Sequence, residues 1–330
     1  MCLKALVVGY GSIGKRHILN LSKFKNIEIL VVTKRKNDTF LKKYNCKLFL
    51  TIQKSLDESP NFAIICTETN THIKYANILA KHGIQLLIEK PLSNSMIEIN
   101  SLLKISKKQK LITLIGCNFR FHPCLKKIKD ILSTQKLGKI LNVQIENGSY
   151  LPDWHPTENY TKSYASQEKL GGGVTLTAIH EIDYLYWFFG KISQVISITG
   201  KFSDLKIDVD DLSVMLMKVG KNTVAEIHLD YFQQPSRRSC KIIGSKGSLT
   251  WDSKSNSVNF YDNAKKKWFI LLKLTKFDYN QMYFDELTHF IDCIKRNKIT
   301  INPLSEGIQT LKIALAIKNS SKQNRMIKIE

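Results

Sequence analysis

The first 118 residues repeat one pattern, a short run of apolar and often β-branched residues followed by a stretch with helical spacing. The runs are KALVVG, IEILVVT, FAIICT, IQLLIE and LITLIG, and segments such as THIKYANILAKHG and MIEINSLLKISKKQ separate them. A short apolar run without polar alternation reads as a strand covered on both faces, and strands that alternate with helices pair in parallel. The pattern therefore predicts an α/β fold whose first domain, 1–118, is built of βαβ units around a parallel sheet buried on both faces. After GCNFRFHP (116–123) the spacing changes. One amphipathic helix at about 123–134 leads to ILNVQIENGSY, QVISITGKF, LSVMLMKVG, TVAEIHLDYFQ, SCKIIGSKGSLTWD and SVNFYD, with turn residues between them. These read as an open-faced, mainly antiparallel sheet in a second α+β domain, 119–330. Between the first two of these strands lie an irregular stretch, 151–170, and a helix-like GVTLTAIHEIDYLYWFFG. Two helices close the chain, YFDELTHFIDCIKRN and SEGIQTLKIALAIKNSSK, and the C-terminal one is expected to pack back on the first domain.

The stretch ALVVGYGSIGKRH (5–17) gives that first domain a ligand. Gly9, Gly11 and Gly14 have G-x-G-x-x-G spacing between a strand and a helix. The first glycine permits the turn, the second lets the backbone approach a pyrophosphate, and the third lets helix and strand pack closely. Ser12 and Ile13 open the helix, whose N-terminal N–H groups attract an anion. A dinucleotide, NAD(P), is the expected cofactor. The second strand ends in VVTKRK, where an NAD site would place a carboxylate on the ribose hydroxyls. Thr33, Lys34 and Arg35 stand there instead and suit a 2′-phosphate, which adds a charge of roughly −2. The reading favours NADP over NAD, with Asp38 a few residues further on.

Charge and cysteine usage exclude other classes. The formal net charge is +22, but only seven of the 50 basic residues are arginine and the lysines are spread along the chain. Arginine is the residue that reads phosphates and bases bidentately, so a lysine-rich solvated surface is the expected meaning rather than nucleic-acid binding. The longest basic run, KKK at 265–267, falls in a hairpin-like loop. Seven scattered cysteines without a CxxC pair predict reduced thiols and no metal site. The start of the chain shows no signal-peptide layout, and no apolar run approaches the length that spans a bilayer. The expectation is a cytoplasmic protein without a membrane partner.

Glu89-Lys90-Pro91 follows the fifth strand. A lysine at the carboxyl edge of a parallel sheet sits where such folds bind ligands, and beside a nicotinamide it can hold or relay the proton of a substrate hydroxyl. The irregular segment adds Trp154, Tyr160 and Tyr164, whose rings suit the C–H faces of a sugar, among the polar Asp153, His155, Lys162 and Ser163.

Taken in order, GYGSIG, CTETNTH (66–72), EKP, GCNFRFHP, GGGVTLTAIHEID (171–183) and GSKGSLTWD (244–252) resemble the Gfo/Idh/MocA oxidoreductase family over essentially the whole chain. The resemblance implies a Rossmann domain followed by an open-faced sheet domain that covers the substrate and forms a homodimer or homotetramer interface. It implies hydride transfer between nicotinamide and a hydroxyl-bearing carbon of a sugar, cyclitol or nucleotide-linked sugar. Carried over by motif, Lys90 binds the reacting hydroxyl and His180 exchanges its proton. Thr67, Asn70 and His72, with Glu89 and Lys90, lie along the cofactor, and Asn118 and Arg120 face the substrate. The pattern YLPDWHP…SYAS…GGGV…HEIDY further resembles members associated with bacterial surface sugars. One departure stands out: where the family commonly carries an aspartate three or four residues before the histidine, this chain has Leu176 and Thr177. Threonine cannot hold a negative charge, so Thr177 is expected to tune the chemistry. Glu181 and Asp183 follow the histidine and either could take the missing aspartate's place; Asp183, at i+3 from His180, shares its helical face, Glu181 does not, and Asp183 is expected to bind substrate. Two other readings stay open: a dinucleotide-binding regulatory protein without turnover, and a hydrolase or lyase that reduces and reoxidises its cofactor within one cycle.

Overall fold

The computed structural model describes residues 2–35 and 38–329; Lys36, at the end of VVTKRK, lies outside the described residues. The chain opens with β1 (Leu3–Val8), α1 (Ser12–Leu21), β2 (Ile27–Val32), α2 (Thr39–Lys43), β3 (Lys47–Phe49), α3 (Ile52–Leu56), β4 (Phe62–Ile65), α4 (His72–Lys81), β5 (Gln85–Glu89), α5 (Ile99–Lys108) and β6 (Thr113–Gly116). It continues through α6 (Pro123–Ser133), β7 (Ile140–Gly148), α7 (Val174–Thr177), α8 (His180–Phe189), β8 (Ile192–Gly200), β9 (Leu212–Val219), β10 (Thr223–Asp230), β11 (Arg237–Gly244), β12 (Gly247–Asp252), β13 (Ser257–Asp262) and β14 (Lys267–Lys273). Helices α9 (Asn280–Arg296) and α10 (Leu304–Gln323) and strand β15 (Ile327–Lys328) complete it.

Two compact units result, Met1–Asn118 with Tyr279–Ile308, and Phe119–Asp278 with Gln309–Glu330. In the first, six parallel strands lie in the order β3-β2-β1-β4-β5-β6. Strands β1, β4 and β5 are buried along nearly their whole length, as expected of a sheet with helices on both faces. The sequence reading leaves 279–308 with the second domain. The fold places them in the first unit, because Leu287, Phe290 and Ile291 of α9 complete the core formed by Ala5, Val7, Ile18, Leu21 and Ile64. The closing helix that joins the first unit is therefore α9, whereas α10, expected there, belongs from Gln309 onward to the second unit. Because β1, β4 and β5 are parallel, the glycine-rich loop, the loop after β4 and the EKP turn all lie at the carboxyl edge of one sheet, and the strand order reverses between β1 and β4.

The second unit is built on nine strands in the order β14-β13-β12-β11-β7-β10-β9-β8-β15. It is a mixed sheet, since β7 and β10 run parallel while their neighbours are antiparallel. One face is covered by α6, α7 and α8 and buries Val143, Ile145, Met215, Ile227, Ile242 and Trp251. The other face leaves Ile196, Ile198, Val214, Leu216 and Val224 exposed. The stretch 151–170 forms four short 3-10 turns rather than a regular element. The single helix expected from GVTLTAIHEIDYLYWFFG is broken at Ala178-Ile179, so His180 begins α8.

Candidate active site

The glycine-rich loop has the surroundings a dinucleotide needs. Gly9 has φ +101°, and a Cβ built there would stand 2.7 Å from the Cys66 carbonyl oxygen. A Cβ on Gly14 would stand 2.3 Å from the Gly9 oxygen. A Cβ on Gly11 would meet nothing within 4 Å, so space is open above the second glycine alone. Gly11 is the N-cap of α1, without a side-chain cap and without an acidic residue in the first turn, so the N–H groups at Ser12 and Ile13 face an uncontested anion position. The residues present fit a pyrophosphate.

Beyond β2 the acidic residue is already engaged. Asp38 Oδ1 accepts from Tyr10 Oη at 2.8 Å and from the amides of Phe40 and Leu41, which it caps as the first residue before α2. The Tyr10 hydrogen bond, the largest influence, holds the Asp38 carboxyl below its ordinary range, while burial and Asp38 push the Tyr10 phenol up. The Arg35 guanidinium lies 5.7 Å and the Lys15 ammonium 5.1 Å from the Tyr10 ring centre. Lys34 and Arg35 are exposed, and Thr33 Oγ1 accepts from the Arg35 amide at 3.1 Å.

At the edge of β4 and β5, Thr67 is half-buried and accepts from Thr71 Oγ1 at 2.7 Å, and Asn70 is exposed. His72 was expected along the cofactor, but its ring is buried and faces inward. Nδ1 stands 2.9 Å from the Pro91 carbonyl oxygen and Nε2 2.9 Å from that of Thr67. Burial pushes the His72 pKa down against the opposing pull of those two carbonyls. Glu89 is also buried, with Oε1 2.6 Å from His17 Nε2 and Oε2 accepting from the Lys90 amide at 3.3 Å. Lys90 itself is half-buried. Asn118 ends this unit with a buried side-chain oxygen that has no hydrogen-bond partner among the described residues.

In the second unit, Gly172 and Gly173 make the turn that launches α7. A Cβ at Gly172 would meet the Tyr164 carbonyl oxygen at 2.4 Å, and Gly173, at φ +102°, leaves room for Asp210, whose carboxylate accepts from the Thr175 amide and hydroxyl. His180 is nearly buried and its ring packs on Phe119 at 4.9 Å. The Thr177 hydroxyl bonds to buried Tyr231, which lowers that phenol's pKa against the larger upward push of burial. Arg120 and Asp183, expected to face substrate, face each other instead. Arg120 Nε and an Nη bond both oxygens of Asp183 at 2.9 Å, and both side chains are only 1% exposed. The Asp183 carboxylate is thereby engaged by Arg120. Glu181 is likewise committed, to Arg238 at 2.9 Å and Asn147 at 3.2 Å. Trp154 is partly exposed, donates to Ser149 Oγ at 2.9 Å and packs edge-on against Tyr231, and Tyr164 is half-buried. Sequence reasoning missed His17 and Tyr231: a lone histidine on an apolar helix face and a tyrosine after a strand have no motif, and only their packing partners mark them. Among the described residues no cluster of His, Cys, Asp or Glu could hold a metal ion.

A glycine-rich strand–helix turn at the switch point of a parallel sheet, joined to a mixed-sheet unit, defines a dinucleotide-binding protein class. The chain belongs to the Gfo/Idh/MocA family: residues 3–117 match its oxidoreductase, NAD-binding Rossmann-fold model and residues 125–250 its C-terminal domain model. Among similar proteins, the myo-inositol 2-dehydrogenase of Thermotoga maritima is 25% identical across 98% of each chain. The inositol 2-dehydrogenase of Rhizobium meliloti is 22% identical across the full length of both. A levoglucosan dehydrogenase solved in complex with NADH shares the fold at a TM-score of 0.90, with 16% identity and 100% of both chains covered. No helix among the described residues is long and apolar enough to cross a membrane.

Proposed function

We propose that this protein is an NAD(P)-dependent dehydrogenase or reductase that moves a hydride between nicotinamide and a hydroxyl- or keto-bearing carbon of a sugar, polyol or nucleotide-linked sugar. The observation that supports it most is the open anion position above Gly11 on the same sheet edge as Lys90. The nicotinamide, when bound, accepts or supplies the hydride. Lys90 holds the reacting oxygen, and His180 takes its proton on oxidation or returns it on reduction, a task suited to imidazole near neutral pH. Asn118, with its unpaired buried oxygen, receives a polar group of the ligand. Trp154 and Tyr164 offer ring faces to the sugar.

The cofactor preference we assign is NADP. Asp38 is engaged by Tyr10 and the α2 amides, while Arg35 lies beside that ring and both it and Lys34 are exposed. The inositol substrates named for the two relatives support the substrate class, and the resemblance carried by YLPDWHP…SYAS…GGGV…HEIDY (150–184) supports a place in surface-glycan synthesis. The uncovered sheet face is assigned to self-association. The reading is tested by following nicotinamide absorbance with a panel of polyols, sugars and nucleotide sugars under both cofactors. Stoichiometric reduction or oxidation, with the lower KM for NADP, is the expected result. A second reading, ligand binding without turnover, is favoured by Thr177 at the place of the usual aspartate and by the commitment of Asp183 to Arg120. Saturable cofactor binding without any absorbance change would favour it.

A further inference from the structure

Three consecutive residues, Glu89, Lys90 and Pro91, are held from both sides by buried histidines. His17 is fully buried on α1; its Nε2 lies 2.6 Å from Glu89 Oε1, and its Nδ1 has no hydrogen-bond partner among the described residues. An apolar side chain would fill that space without stranding a nitrogen, so the imidazole is present for its single partner, the carboxylate. Glu89 needs it: a carboxylate only 5% exposed must have its lone pairs occupied. Gly116 leaves just the room required, since a Cβ there would lie 3.2 Å from the Glu89 carboxylate. The second carboxylate oxygen accepts from the Lys90 amide, so the orientation that His17 imposes on Glu89 passes to the peptide plane of Lys90. On the far side, His72 stands between two carbonyl oxygens, Nδ1 2.9 Å from that of Pro91 and Nε2 2.9 Å from that of Thr67, so the N–H of the neutral ring donates to one of them and the ring wedges the turn against the loop after β4.

We propose that His17 and His72 are positioning residues for Lys90, fixing the backbone on each side of it. The catalytic part of this inference rests on the dehydrogenase reading of Lys90; the tethering part does not. A shift of about 1 Å in a reacting group costs up to roughly a hundredfold in rate. His17→Leu is therefore expected to lower kcat about ten- to hundredfold with the cofactor KM changed less than about threefold. His17→Gln, whose amide N–H still reaches the carboxylate, is expected to recover most of that loss, and His17→Asn, which is too short, is not. His72→Leu is expected to lower kcat in the same sense. Amide hydrogen exchange at Lys90, whose N–H donates to Glu89, is expected to quicken about tenfold or more in His17→Leu and to return toward wild type in His17→Gln.

Unchanged kcat and unchanged Lys90 exchange in His17→Leu would overturn the proposal, as would a Gln variant no better than Leu, which would mark a purely structural loss. If the Leu variant does not fold, the comparison of Gln with Asn decides, and equal rates and equal exchange overturn it. A wild-type protein that turns over no substrate contradicts the dehydrogenase reading, and the exchange measurement then decides the tether by itself.

Discussion

Gly11 and Gly14 stand three residues apart, at the N-cap and in the first turn of α1, and meet opposite surroundings. Gly11→Ala places a methyl group in open space at a helix N-cap, so stability is expected to change by no more than about 1 kcal/mol while cofactor affinity falls at least about tenfold. Gly14→Ala drives a methyl group against the Gly9 carbonyl and is expected to lower the unfolding midpoint itself. Denaturant titration beside cofactor fluorescence separates the two. Asp183→Asn leaves Arg120 buried beside a neutral partner, and the loss of a buried pair predicts about 3–5 kcal/mol in urea unfolding. Thr177→Asp is expected to change turnover, because it places a charge where only a hydroxyl bonds Tyr231; an unchanged kcat on the true substrate would contradict the role given to Thr177. The glycines were legible in the sequence because their spacing is a local requirement of the turn. The Arg120–Asp183 pair was not: residues 63 apart meet only through packing, and their types fit substrate contact equally well.

Helix α6 shows how an element inherits a pH response. Its N-cap is His122, whose Nδ1 accepts from the Cys124 amide at 3.2 Å. Burial, and then the Arg238 guanidinium, push the His122 pKa from 6.5 down to about 4. Between those values the unfolded chain binds a proton that the folded chain refuses, so stability is full above pH 6.5 and falls as the pH drops toward 4. The loss amounts to about 3 kcal/mol. His122→Asn keeps a side-chain cap without the titration, and the fall in unfolding free energy from pH 7 to pH 4 is expected to be smaller by about that amount, whatever the baseline cost of lost ring packing. The elements that escaped sequence reading are the short and edge ones. Strand β3 has three residues and α2 and α3 five each, too few for a period to emerge. Strand β14 is exposed or half-buried at every position, so its alternation is blurred at the sheet edge. The break at Ala178-Ile179 was hidden because an apolar run around two short helices has the same spacing as one long helix.

At the scale of the whole molecule, the second-unit sheet leaves a cross-strand apolar group uncovered, with Ile196 opposite Leu216 and Ile198 opposite Val214. Beside it a groove of about 910 Å³ is lined by polar groups including Glu146, Glu226, His228 and Lys241, and neither His180 nor Thr177 is among its lining residues. A second copy of the chain suits such a face, because one-sided sheets of this kind bury their apolar rows in symmetric pairs. Sedimentation is expected to give a dimer or tetramer for the wild type and a smaller species for Ile198→Glu combined with Leu216→Glu. Each chain carries a formal charge of +22, so added salt is expected to strengthen the association. A wild-type monomer at micromolar concentration would contradict the assignment. The architecture at this scale was legible because alternation of apolar runs with helical spacing survives any surface composition. The division of the closing helices was not, since α9 is amphipathic whichever core receives it.

The central claim is that Lys90 and His180 serve one hydride transfer. Its most direct test is nicotinamide absorbance with an active polyol or sugar, comparing wild type with Lys90→Met and His180→Asn at saturating cofactor. The account predicts stoichiometric cofactor turnover in the wild type and losses of about a hundredfold or more in kcat for each variant, with cofactor affinity changed only a few-fold. Wild-type rates in either variant would contradict it.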